Sequence, residues 1–180
     1  MIATPSPTSS RKAARRVTVN IVNTVRVELE NDCLANWVPP VGDMETWLTE
    51  ASATLADQPP ATSISVRVVD ESESAGLNAH YRGKEHPTNV LSFSCELPAE
   101  VLESLDTVPL GDLAICAPVL EQEAKLQGKT LESHWAHLLT HGFLHLNGYQ
   151  HDTENEAEIM ETVEIAILNS LGFPNPYVAP

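Results

Sequence analysis

The chain has 180 residues, 42% of them hydrophobic and 5% aromatic, with a formal net charge of −15 at pH 7. That length suits one domain with a sizeable core; no apolar run approaches the ~20 residues that span a bilayer, and the start lacks the apolar block of a secretory signal. Such a charge excludes broad attraction to polyphosphate, so any contact with nucleic acid must be local and sensitive to salt.

The charge is uneven from the start. Residues 1–16, "MIATPSPTSSRKAARR", hold Arg11, Lys12, Arg15 and Arg16 and no acid. Their Pro/Ser/Thr composition reads as a disordered basic tail ahead of a single domain over 17–180; a nucleic-acid-touching arm or an organelle address is the alternative. "RVTVNIVNTVRVEL" alternates at Val17, Val19, Ile21, Val25, Val27 and Leu29, which predicts a strand with a break near Asn23-Thr24. Asp43 is a candidate N-cap for a helix through Met44, Trp47, Leu48, Ala51 and Leu55, ended by Pro59-Pro60. "SISVRVVD" is a second strand, after which Asp70 caps a helix through Ser74, Leu77 and Asn78 toward Tyr81.

"NVLSFSC" and "LGDLAICA" predict a third and a fourth strand. Pro118 opens a helix that finishes at Gly128. Thr130 caps the next, "LESHWAHLLTHGFLHLN", which stops at Gly148. Asp152 is the expected cap of the last helix, whose apolar stripe is Ile159, Met160, Val163, Ile167 and Leu171. About four strands and five helices without strict alternation predict an α+β domain, a small mixed sheet packed with helices. Cys33, Cys95 and Cys116 are scattered and odd in number, which speaks against a disulfide framework and for a reducing cytoplasm.

Four histidines of the fifth helix, His134, His137, His141 and His145, fall near one face. "HGFLHLNGYQH" spaces His141, His145 and His151 as H-x3-H-x2-G-x2-H. Side chains four apart on a helix lie about 5–6 Å from each other at Cβ, so His141 and His145 can share one ion. Gly148 lets the chain turn back and bring His151 to a third corner. Three protein ligands leave a fourth position open, the pattern of a catalytic rather than a structural zinc. His134 and His137 lie one to two turns upstream and read as packing groups or supports for the ligands. Zinc proteases carry a glutamate after the first histidine as general base, but here that residue is Gly142. A metal can still activate water or polarise a phosphoryl oxygen, and a cation that neutralises phosphorane charge then matters more than a carboxylate base.

"LNAHYRGKEHPTNVLSF" supplies Arg82 and Lys84, two of only six basic residues outside the tail. Arg82 can grip a phosphate through paired hydrogen bonds, or else pair with one of the many acids.

Together, "LNAHYRGKEHPTNVLSF", "LGDLAICAPVLEQEAKLQGKTLESHWAHLLTHGFLHLNGYQHDTENEAEIM" and "LGFPNPY" resemble the YbeY family of bacterial endoribonucleases and ribosomal RNA maturation factors. The resemblance runs from about Val17 to Tyr177. It implies a fold with a small mixed sheet and several helices, and a zinc ion held by His141, His145 and His151. It also implies Arg82 beside the metal, helping to bind or cleave RNA. The implied activity is single-strand-specific RNA cleavage in maturation of the small-subunit RNA 3′ end, together with ribosome quality control. Expected partners are therefore ribosomal RNA precursors and the small ribosomal subunit or its proteins, with no membrane. One departure stands out: Gln150 occupies a position where the family generally has aspartate. Glutamine accepts a hydrogen bond but brings no charge to an imidazole, a role for which Asp152 is a substitute.

Overall fold

The computed structural model describes residues 23–178 apart from 36, 57, 58 and 60. The basic tail, and the part of the first strand expected on Val17, Val19 and Ile21, lie outside the described residues. The chain runs β1 (Thr24–Asn31), α1 (Val41–Thr54), β2 (Ala61–Val69), α2 (Glu71–Arg82), β3 (Val90–Ser94), α3 (Ala99–Leu102), β4 (Val108–Cys116), α4 (Ala117–Gln127), α5 (Leu131–Leu146) and α6 (Glu154–Ser170). The four strands form one sheet in the order β1-β2-β4-β3. β1, β2 and β4 are parallel, and β3 runs antiparallel to β4 at the far edge. The fold is thus the expected α+β arrangement. The single-turn α3 is a sixth helix among the described residues, and its four residues are too few to show a helical period in the sequence.

Alternation decides which face of the sheet is buried. Val25 and Val27 of β1 and Ile64, Val66 and Val68 of β2 are at most 7% exposed, as are Leu113 and Ile115 of β4. They join α1, α5 and α6 in one core. α1 also covers an edge: Thr49 Oγ1 and Glu45 Oε1 each accept, at 3.1 Å, from the amides of Val25 and Val27. Those amides would otherwise be open to pairing with another chain. α1 begins at Val41 behind Pro40, not at an Asp43 cap. The amides of Asp43 and Met44 already bond Pro40 O, so Asp43 sits in the first turn, where its charge favours the helix N-terminus.

α5 is the central element. Trp135, Ala136, Leu139, Phe143 and Leu144 on it are fully buried. Each large apolar side chain so buried contributes about 1.5–3 kcal/mol. That outweighs the roughly 1 kcal/mol by which a glycine disfavours a helix interior, and Gly142 shows why glycine is there. A Cβ on Gly142 would lie 2.8 and 3.1 Å from the two Cδ atoms of Leu113. The position is where α5 meets the sheet. That Cβ would also lie 3.4 Å from Ser92 Oγ of β3, so a glutamate there would start against the sheet.

Candidate metal centre and groove

The histidine stripe is the one polar face of α5, and each ring is oriented by a partner that the fold delivers. His141 donates Nδ1–H to Glu164 Oε1 of α6 at 2.7 Å. His145 donates Nδ1–H to Tyr149 O at 2.9 Å. That carbonyl is in place because Gly148, at φ 85°, turns the chain back at the end of α5 and lets Tyr149 N bond Leu144 O. With both Nδ1 protons so assigned from the hydrogen-bond pattern, both Nε2 atoms carry lone pairs. These two Nε2 atoms lie 3.1 Å apart. Two lone pairs facing each other with no proton between them repel, and a cation is what such a pair accommodates. One ion with bonds of about 2.0–2.1 Å reaches both.

His151 completes the group. Ligand nitrogens of His141, His145 and His151 all lie within 4.8 Å of one another. The three rings close on each other, with centroids 4.6 to 5.5 Å apart. Among the described residues no fourth His, Cys, Asp or Glu joins this trio. Burial of His145, reinforced by the positive charge of neighbouring groups that include Arg82, lowers its pKa, so the ring is neutral at pH 7. Imidazoles whose Nδ1 donors are already engaged, as in His141 and His145, present Nε2 to a metal ion.

The upstream histidines have other work. His137 donates Nε2–H to Glu164 Oε2 at 3.3 Å, and His134 donates Nε2–H to Glu123 Oε2 at 2.8 Å. Burial lowers the pKa of His137, despite the neighbouring Glu164, and keeps it neutral. His137, His141 and Glu164 also lie close enough to share an ion. Here, though, each imidazole turns a proton toward the carboxylate, so the arrangement is a support for His141 and not a second metal cluster.

Glu164 is the residue that pattern reading missed. It is fully buried and receives His137, His141 and the hydroxyl of Tyr177. Burial pushes its carboxyl upward, but those three hydrogen bonds outweigh it and hold the pKa at about 2. The same burial and the same carboxylate push the Tyr177 hydroxyl upward, so it stays a proton donor. A signal was present: Glu164 falls on the α6 stripe between Met160 and Ile167, and a carboxylate on an apolar face asks for partners. The expected cap Asp152 is corrected to Thr153, which accepts from Glu156 N while the Glu156 side chain accepts from Thr153 N. The T-x-x-E pattern favours that start, because Asp152 is followed three positions later by Asn155. Neither Gln150 nor Asp152 hydrogen-bonds a histidine ring among the described residues. The orienting part proposed for them belongs to Glu164 and Tyr149.

His141, His145 and His151 open on a groove of about 470 Å³ walled by β3, the end of α2 and Gln150. Arg82, the last residue of α2, lines it too, ahead of Gly83 in the left-handed conformation that ends the helix. Arg82 makes no ion pair among the described residues, whereas Arg67 is engaged by Glu30, Asp32 and Glu73. Lys84 is exposed but does not line the groove. None of the lining residues is acidic, although the chain has 25 acidic residues. The loop before β3 is held from α2, where buried Ser74 and Asn78 bond the backbone of Thr88 and His86. Asn89 then spans to both oxygens of Glu123, tying the groove wall to His134. All three cysteines are free thiols, and no helix among the described residues is long and apolar enough to cross a membrane.

Fold and site therefore define an α+β protein with a three-imidazole centre able to hold a metal ion, at one side of a non-acidic groove. The chain belongs to the YbeY family: the family model described as "Endoribonuclease YbeY" matches residues 39–172. It is 56% identical over 125 residues to the Endoribonuclease YbeY of Methylococcus capsulatus, covering 69% of this chain and 81% of that protein. It is 46% identical over 140 residues to the Endoribonuclease YbeY of Coxiella burnetii, covering 78% and 90%. The solution structure of TM1509 from Thermotoga maritima has a similar fold, with a TM-score of 0.50 and 21% identity over 82% of this chain and 91% of that one.

Proposed function

We propose that this chain is a zinc-dependent endoribonuclease that cuts single-stranded RNA and matures ribosomal RNA, in particular the 3′ end of the small-subunit RNA, with a part in ribosome quality control. His141, His145 and His151 are the zinc ligands, and Arg82 is the catalytic cation. The observation that carries this reading is the pair of Nε2 lone pairs 3.1 Å apart, opening with His151 on a groove that contains Arg82 and no carboxylate. When bound, zinc supplies Lewis acidity toward a phosphoryl oxygen.

The chain's own residues do the rest. Glu164 and the Tyr149 carbonyl fix the tautomers of His141 and His145. Arg82, free of any acid partner among the described residues, binds the scissile phosphate and neutralises charge as it develops. Gly142 leaves peptide hydrolysis without its usual base. A groove lined by no acidic residue lets a strongly acidic protein accept a polyanion locally. Residues 17–180 form the catalytic domain, residues 1–16 a basic appendage, and the free thiols suit the cytoplasm.

A second reading is favoured by the net charge of −15, which suits basic ribosomal proteins of the small subunit as partners. In that reading the chain is an assembly factor, and zinc serves only the fold. One set of measurements separates the two. Purified protein is assayed for metal by elemental analysis and for cleavage of a labelled single-stranded RNA, beside His141→Ala, Arg82→Ala and chelated protein. We expect one zinc per chain, no cleavage by His141→Ala or chelated protein, and zinc-loaded Arg82→Ala slowed about 10²–10³-fold. Undiminished cleavage by metal-free protein removes zinc from the mechanism. Ribosome binding and RNA maturation that survive His141→Ala establish the assembly role instead.

A further inference from the structure

We propose that Tyr81 forms a nucleobase-stacking subsite in the groove, holding one unpaired base of the RNA while Arg82 holds a phosphate beside it. The proposal rests on the ribonuclease reading and extends it to the substrate's bases. Tyr81 is 60% exposed, unusual for so large a ring. It is nevertheless oriented: its ring meets Phe93 of β3 edge-on, with centroids 4.8 Å apart and planes at 65°, and His80 at 4.6 Å and 85°. Tyr81 and Phe93 line the same groove as His141, His145 and His151.

Tyr81 and Arg82 are consecutive in the last turn of α2, so their side chains leave the helix about 100° apart. Ring and guanidinium thereby serve two different parts of one nucleotide. An aromatic face beside a cation, in a groove without acids, suits single-stranded nucleic acid, because any base can stack and every nucleotide carries a phosphate. A base already stacked within a duplex has no face free for the ring, so the subsite supplies a physical basis for preferring unpaired RNA.

The test uses the full chain and short single-stranded oligoribonucleotides of mixed sequence, 2′-O-methylated and checked for integrity after titration. Each nucleotide in turn is replaced by an abasic residue, and binding is followed by fluorescence anisotropy. For the wild type and Tyr81→Phe, we expect one position at which base removal weakens binding about 5- to 100-fold. Tyr81→Ala and the bulk-preserving Tyr81→Leu should lose a similar factor against the intact strand and become insensitive at that position. Leucine keeps the apolar contact with Phe93, so a loss shared by both variants is not a loss of packing. Variants that bind the intact strand like wild type, or that still sense base removal at the same position, overturn the subsite alone. A wild type that binds none of the strands overturns the ribonuclease reading and the subsite together.

Discussion

Glu164→Gln tests whether a buried carboxylate sets the metal affinity of the histidines. In the wild type both oxygens only accept: Oε1 from His141 Nδ1–H at 2.7 Å, Oε2 from His137 Nε2–H at 3.3 Å and from the Tyr177 hydroxyl. An amide of the same shape has one accepting edge and one donating edge. If its oxygen turns to His137 and Tyr177, its NH2 faces His141 Nδ1–H, and His141 escapes by moving its proton to Nε2, which removes a ligand lone pair. If the oxygen turns to His141, the Tyr177 hydroxyl and His137 meet a donor instead. Each hydrogen bond to a buried charge contributes about 1.5–3 kcal/mol. Rotation of the Tyr177 hydroxyl and a tautomer shift of His137, whose Nδ1 has no partner, recover part of the loss. The expected cost is about 2–4 kcal/mol in stability of the metal-free protein and about 10- to 100-fold in zinc affinity. Denaturant unfolding measures the first, and competition with a chromogenic chelator the second. A variant whose zinc affinity stays within about threefold of wild type would refute the claim that Glu164 orients His141.

Two further outcomes follow from the same groups. Acidification should destabilise metal-free protein in two stages. His137 and His145 have pKa values lowered below 6.5, so the stability of their neutral forms is present above pH 6.5 and is lost as pH falls through their folded values. Glu164 has a pKa lowered from 4.5 to about 2, so its contribution is present above 4.5 and is lost from there down to about pH 2. Denaturation midpoints against pH should show both stages in the wild type and a smaller lower stage in Glu164→Gln, where Glu123, held below 4.5 despite burial by His134 and Asn89, still contributes; a flat wild-type profile below pH 6.5 contradicts this. Gly142→Glu restores the zinc-protease pattern in sequence, yet the new side chain would start 2.8 Å from Leu113. We expect about 1–3 kcal/mol of lost stability and no peptidase activity; a fully stable variant that hydrolyses peptides would mean position 142 faces the metal.

Much of this protein was legible because the relevant physics is local. Helical spacing alone puts His141 and His145 on one face, and a glycine after the last turn permits the reversal toward His151. Caps at Asp70 and Thr130, and the glycine stop at Gly128, are short-range hydrogen bonding and backbone freedom. The alternation of Val25 and Val27, and of Ile64, Val66 and Val68, marked strands with a buried face. Even the corrected cap at Thr153 was written as T-x-x-E.

The partners of the histidines were not legible in that way. Glu164 meets His141 from 23 residues away, and Tyr177 reaches Glu164 from beyond the end of α6. The carboxylate in the α6 stripe announced a need for partners, not which ones. Only packing of α6 on α5 chose them, because a buried charge is tolerable solely where the assembled fold supplies donors. The direction of Gly142 toward Leu113, and the absence of acids from the groove in so acidic a chain, were likewise decided by the sheet order and the docking of α2 and α5. The residues that can hold a metal thus follow from local spacing, whereas their tautomers and the charge of the groove around them follow from long-range contacts that no local pattern encodes.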